Sequence, residues 1–166
     1  NNCSVGANLS GWYGGGACGC TLNNCTLSGN FSQCNGGGAY DCTLNNCTLS
    51  GNNGVAGGGG AYGSTLNNCT LSGNWSGDGS GGGACDCTLN NCTLSGNQAS
   101  YSGGGAAGGT LNNCTLSGNS SPSEGSGGGA YSATLNNCTL SGNFSKHYGG
   151  GALGCTLNNC ILYNNT

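Results

Sequence analysis

Charge is almost missing from this sequence. Of 166 residues only 3% are Asp, Glu, Lys or Arg, where ordinary domains carry about a quarter. The full set is Asp41, Asp78, Asp86, Glu124 and Lys146, with His147 the single histidine. A chain without Arg and with a net charge of -3 has no electrostatic footprint for nucleic acid or an anionic membrane. Methionine is absent and proline occurs once. No apolar run reaches transmembrane length and no signal peptide is recognisable. The start at Asn1 points to a processed protein or an excised segment. Helix formers are scarce and no 3.6-residue apolar period occurs, which excludes a helical bundle.

What is present is repetition. The ten residues TLNNCTLSGN begin unchanged at Thr21, Thr43, Thr65, Thr88, Thr110 and Thr134, and a variant, TLNNCILYNN, begins at Thr156. Successive starts are 22, 22, 23, 22, 24 and 22 residues apart, a solenoid period. Each unit is TLNNCTLSGN, a variable tail, then GGGA and three further residues. Most tails have five residues, whereas WSGDGS (75–80) has six and SSPSEGS (120–126) seven, which accounts for the two longer spacings. Gly-rich and Ser-rich composition alone would suit disorder, but linkers do not hold Leu and Cys in fixed register.

Within Cys47-Thr48-Leu49-Ser50 the alternation puts Cys and Leu on one face and Thr and Ser on the other. Cys42 and Leu44 likewise share a face, and the Asn45-Asn46 pair between these strands suits the left-handed backbone of a sharp bend. The expected fold is all-β: one continuous parallel β-helix over 1–166, with about seven coils of 22–24 residues. Neighbouring strands about 4.8 Å apart would stack each residue on its own copy, in a rod roughly 34 Å long. Stacked Asn amides can hydrogen-bond along the axis.

The pattern GGGAY…TLNNCTLSGN resembles the right-handed parallel β-helix repeats of bacterial secreted and surface proteins, of the polymorphic outer-membrane-protein and choice-of-anchor types. The resemblance covers essentially the whole chain. It implies a right-handed solenoid in an adhesive or structural surface protein; it does not imply an activity.

Cysteine is the one abundant chemical group, with 15 residues. Eight form an inward column: Cys3, Cys25, Cys47, Cys69, Cys92, Cys114, Cys138 and Cys160. Cys20, Cys42, Cys87 and Cys155 share the position before Thr. Three readings stand: small apolar filler, disulfides between neighbouring coils, and metal binding. Stacked Cα atoms near 4.8 Å fall in the disulfide range of about 4.4–6.8 Å, with Cys20–Cys42 and alternate pairs of the long column as candidates. The columns lack convergent His or carboxylate and the tetrahedral spacing of zinc sites, so neither a metal nor a cofactor is expected. An odd count leaves at least one thiol unpaired within the chain. Heavy cysteine use with little charge favours an extracellular or cell-surface setting.

Polysaccharide-active β-helices need paired carboxylates, or a basic residue with calcium, in a groove. Here Lys146 and His147 share one tail, and Asp41 and Asp86 lie two coils apart, roughly 10 Å along the axis, without an acid or base partner. The glycine runs match neither phosphate loops nor calcium nonapeptide repeats. No catalytic residue is assigned, and the expectation is a protein that is not an enzyme.

The outward residues form hydroxyl columns: Thr26, Thr48, Thr70, Thr93, Thr115 and Thr139, and beside them Ser28, Ser50, Ser72, Ser95, Ser117 and Ser141. Such a grid is similar to the Thr-x-Thr faces of ice-binding solenoids, so ice or a carbohydrate is the alternative ligand. Aromatic side chains recur at Phe31, Trp75 and Phe144 and at Tyr40, Tyr62 and Tyr131, where they can meet sugars, a neighbouring subunit or the coil edge. Asn8, Asn30, Asn74, Asn119 and Asn143 head Asn-x-Ser/Thr sequons at bends, open to glycosylation in a host that performs it; Asn24 heads another. The chain begins and ends in mid-coil without charged or helical caps. Open, unlike end faces would stack head to tail into a non-closing filament, unless caps lie elsewhere in a longer protein. The primary partner expected is the protein itself. Ile161 and Tyr163, apolar where other units have Thr and Ser, are the candidate subunit contact.

Overall fold

The computed structural model describes residues 2–166. It is an all-β parallel solenoid of about seven turns, in which each coil contributes four short strands to four stacked sheets. In one coil these are Thr43–Asn45, Thr48–Ser50, Asn53–Gly54 and Ala61–Tyr62. Every pairing is parallel and joins equivalent residues of successive coils, as in Leu66 with Leu44 and Leu89, and Leu71 with Leu49 and Leu94. The TLS sheet has eight strands and the TLN, tail and Ala-Tyr sheets seven each, among the described residues.

Four left-handed corners per coil turn the chain. In the coil above they fall at Asn46 (φ 53), Gly51 (φ 59), Gly58 (φ 59) and Gly63 (φ 59). The second Asn of each NN pair takes the first corner because its side chain tolerates αL, while the first Asn belongs to the preceding strand. Asp41 (φ 49), Asp86 (φ 51) and Ser132 (φ 49) occupy the same corner as Gly63, so the two aspartates have a backbone role. The glycine triplet has three separate steric causes. Gly58 is the αL corner; a Cβ on Gly59 would meet the Trp75 backbone; one on Gly60 would stand 2.5 Å from the Gly83 carbonyl oxygen and 3.1 Å from the Asn74 amide. At this point the coil closes on itself, backbone against backbone.

The core is a thin prism filled by columns. Leu27, Leu49, Leu71, Leu94, Leu116 and Leu140 form one, and Leu44, Leu66, Leu89, Leu111 and Leu135 a second, all fully buried. The cysteine column and Ala39, Ala61, Ala84, Ala106 and Ala130 fill the rest. A polar column runs beside them. Asn30, Asn52, Asn74, Asn97, Asn119 and Asn143 are at most 1% exposed. The Asn52 amide donates to Asn74 Oδ1 at 3.0 Å and to the Leu27 carbonyl at 3.0 Å, while Asn74 Oδ1 also accepts the Asn52 backbone N–H. Both donors and both lone pairs of each central amide are thereby used, which removes the penalty for burying it.

Candidate functional site

The outer faces of the TLN and TLS sheets are straight arrays. Thr26, Thr48, Thr70, Thr93 and Thr115 are exposed; Thr139 and the Ser28, Ser50, Ser72, Ser95, Ser117 and Ser141 column are half-buried. On the TLN face Thr43 and Thr88 stand beside a second amide ladder, in which Asn67 Nδ2 donates to Asn45 Oδ1 at 2.8 Å and Asn90 Nδ2 to Asn67 Oδ1 at 2.9 Å. In this outer ladder the later coil donates to the earlier; in the buried ladder the earlier donates to the later. The two amide columns therefore run with opposed polarity. The sequence places both residues of each Asn pair at a bend and expects amides stacked along the axis; the ladder forms through the first Asn of each pair, which lies in the TLN strand and not at the bend.

The buried ladder overturns part of the glycosylation expectation. Asn30, Asn74, Asn119 and Asn143 carry amides held by hydrogen bonds inside the core, and a glycan on any of them is incompatible with this fold. Asn8 belongs to the same column but is exposed, with its Nδ2 donating to Asn30 Oδ1 at 2.9 Å. Asn24 is exposed at a left-handed corner.

Cys25, Cys47, Cys69, Cys92, Cys114 and Cys138 are buried, Cys160 is half-buried and Cys3 exposed. Cys20 and Cys42, the candidate disulfide, both carry free thiols, with the Cys20 N–H donating to Cys42 Sγ at 3.4 Å. A Cα spacing within range is not sufficient for that bridge. Strands stacked by translation hold Cβ atoms about 4.8 Å apart as well, outside the roughly 3.5–4.5 Å a disulfide needs.

Burial pushes Cys87 up to about 12, and burial with the adjacent Asp86 carboxylate pushes Cys85 up to about 12. Within the column the thiols are coupled along the axis: Cys114 and Cys69 lower Cys92, Cys92 raises Cys69, and Cys138, ahead of Cys92, raises Cys114. Among the described residues no group of three His, Cys, Asp or Glu converges on one point.

The remaining charges lie on the tails and corners. Asp41 and Asp86 are exposed at their corners. Asp78, Ser100, Tyr101, Ser123 and Glu124 line an open cleft of about 270 Å³ where the six- and seven-residue tails flank a five-residue one. Trp75 and Phe144 are partly exposed on the tail sheet, whereas Tyr40 and Tyr62 stack on the neighbouring sheet with ring centroids 5.6 Å apart. Ile161 and Tyr163 pair with Thr139 and Ser141 and are 62% and 52% exposed. No helix among the described residues is long and apolar enough to cross a membrane. Compared with protein-family models and with curated proteins, the chain matches none.

Proposed function

We propose that this is a non-enzymatic, extracellular or cell-surface structural protein, a solenoid that stacks head to tail into filaments or forms the rod of a larger surface protein. The observation that carries this reading is the unbroken register: each rung meets the next through the same residues, so any rung face is a template for another. The inner amide ladder gives the two faces of a rung different chemistry, with Nδ2 donors toward the later coil and Oδ1 acceptors toward the earlier one. Contacts between molecules through such faces are heterologous and do not close. Ile161 and Tyr163 place apolar surface where other units carry hydroxyl groups, and suit a lateral or terminal subunit contact. The likeness to right-handed repeats of polymorphic outer-membrane-type and choice-of-anchor surface proteins fits an adhesive or load-bearing role. Electron microscopy of the concentrated protein tests the filament: rods joined end to end are expected, and uniformly monomeric rods overturn it.

The exposed Thr column favours a second reading, recognition of ice or a carbohydrate by the TLS face. Thr70 and Thr93 are direct register partners, and replacing both with Tyr should abolish thermal hysteresis if ice is the ligand. A parent protein without hysteresis removes ice from consideration.

A further inference from the structure

The central cysteine column repeats one geometry from rung to rung. The Sγ atoms of Cys69, Cys92, Cys114 and Cys138 each accept the backbone N–H of the preceding column cysteine at 3.4 Å. The thiols of Cys47, Cys69, Cys92 and Cys114 each lie 3.3 Å from the carbonyl oxygen of the Asn two residues earlier. A third contact, to a Leu carbonyl one coil back, stays between 3.5 and 3.6 Å. Sulfurs with the same three contacts are related by translation, so consecutive Sγ atoms stand one rung apart, about 4.8 Å. That separation is far from the roughly 2.05 Å of a disulfide. It does match two metal–thiolate bonds of about 2.3 Å laid end to end.

We propose that this column is a binding site for soft monovalent cations of the copper(I) and silver(I) class, each held in two-coordinate geometry between the sulfurs of successive rungs. Thiolate is the ligand that selects such ions, and a linear site needs two donors, not the three or four whose convergence is missing here. No rotamer need change. Each ion displaces the protons of both thiols and leaves an S–M–S unit of charge -1, with no oxidation or reduction. Backbone N–H donors at 3.4 Å already face the sulfurs that would carry this charge. A sulfur bonded along the axis on one side has no second collinear orbital for the other, so alternate gaps fill, and the eight cysteines of the column take up to four ions.

Adjacency, not thiol number, is what this predicts, and two variants with four substitutions each isolate it. One carries Cys25→Ser, Cys69→Ser, Cys114→Ser and Cys160→Ser, leaving no neighbours in the column. The other carries Cys3→Ser, Cys25→Ser, Cys138→Ser and Cys160→Ser, leaving Cys47, Cys69, Cys92 and Cys114 contiguous. Serine suits this kind of site, since Ser64 stands in the parallel Cys42–Cys87 column and its Oγ accepts the Cys42 N–H at 3.0 Å. The reduced, full-length proteins are titrated anaerobically with silver(I) after exposed thiols such as Cys18 and Cys20 have been alkylated on the folded chain. The contiguous variant should bind two ions more than the alternating one, by native mass spectrometry. In the parent, X-ray absorption should give two sulfur neighbours per silver at about 2.3 Å, with two protons released per ion. Equal uptake by the two variants overturns the proposal. Should either variant fail to fold, three- or four-sulfur coordination in the parent, or one proton per ion, overturns it independently.

Discussion

Each coil has two halves built on different terms. In TLNNCTLSGN the side chains themselves stack: Leu on Leu, Cys on Cys, and a buried amide on the amide of the next rung. In the tail the strands are two residues long, and Phe31, Asn53, Trp75, Gln98 and Ser120 follow one another in a single column. The tails range from five to seven residues without disturbing the register on either side. Identity is demanded where a side chain must meet its own copy inside the core. Where only the backbone is paired and the side chain faces outward, length and composition drift. The GGGA segment looks like part of the variable half but obeys the strict rule, because its backbone presses against the tail strand with no space for a Cβ.

A single inserted residue gives the widest separation between the halves. Placed between Leu71 and Ser72, an extra Ser turns the following side chains to the opposite face and moves Asn74 out of its ladder; cooperative unfolding in urea should be lost. Placed between Gly77 and Asp78, the same Ser only makes a seven-residue tail like that at 120–126, at a cost below about 1 kcal/mol. Equal effects in far-UV circular dichroism and urea midpoint would erase the distinction between the halves. Next in size is Gly82→Ala, whose Cβ would meet the Gln98 backbone and the Gly104 carbonyl oxygen 2.6 Å away. Its neighbours are main chain and cannot move aside cheaply, so a loss of more than about 4 kcal/mol is expected. A mild effect would mean that the coil closes more loosely than its geometry implies.

Asn97→Ala tests the polar column. It strips the acceptor from the backbone N–H and the side chain of Asn74, and removes the donor to the Leu71 carbonyl and to Asn119 Oδ1. Buried groups left without partners make the expected cost about 3 kcal/mol, read as a lowered urea midpoint and faster amide exchange at Asn74. These asparagines mark the limit of what the sequence makes visible. Period, parallel stacking, inward Leu and Cys and the αL Asn all follow from alternation and chirality. Strand alternation says nothing about direction once the chain has passed a left-handed glycine, and Asn after Gly51, in a sequon-rich chain, reads as a surface bend. Only closure of the coil turns Asn52 inward onto the Leu27 carbonyl. The Asp41 and Asp86 corners were hidden for a related reason: a carboxylate in a nearly uncharged chain draws attention to its charge, whereas here the residue supplies a positive φ.

The smallest expected effect probes where the two halves meet. Ser76 and Ser121 are fully buried in the tail strands, and their hydroxyl groups meet no hydrogen-bond partner within the protein. Ser32 is equally buried in the same column, but its Oγ donates to the Trp12 carbonyl at 2.6 Å. Ala99, the register partner of Ser76, already fills this column with a methyl group. Ser76→Ala removes an unsatisfied polar group and should stabilise the protein by about 0.5–1 kcal/mol, whereas Ser32→Ala removes a hydrogen bond and should destabilise it by about 1 kcal/mol. Opposite signs at equivalent positions, measured as shifts of the urea midpoint, would show that even the buried residues of the tail half answer to local partners. Equal signs would mean that this column, like Leu and Cys, is governed by stacking on its own copies.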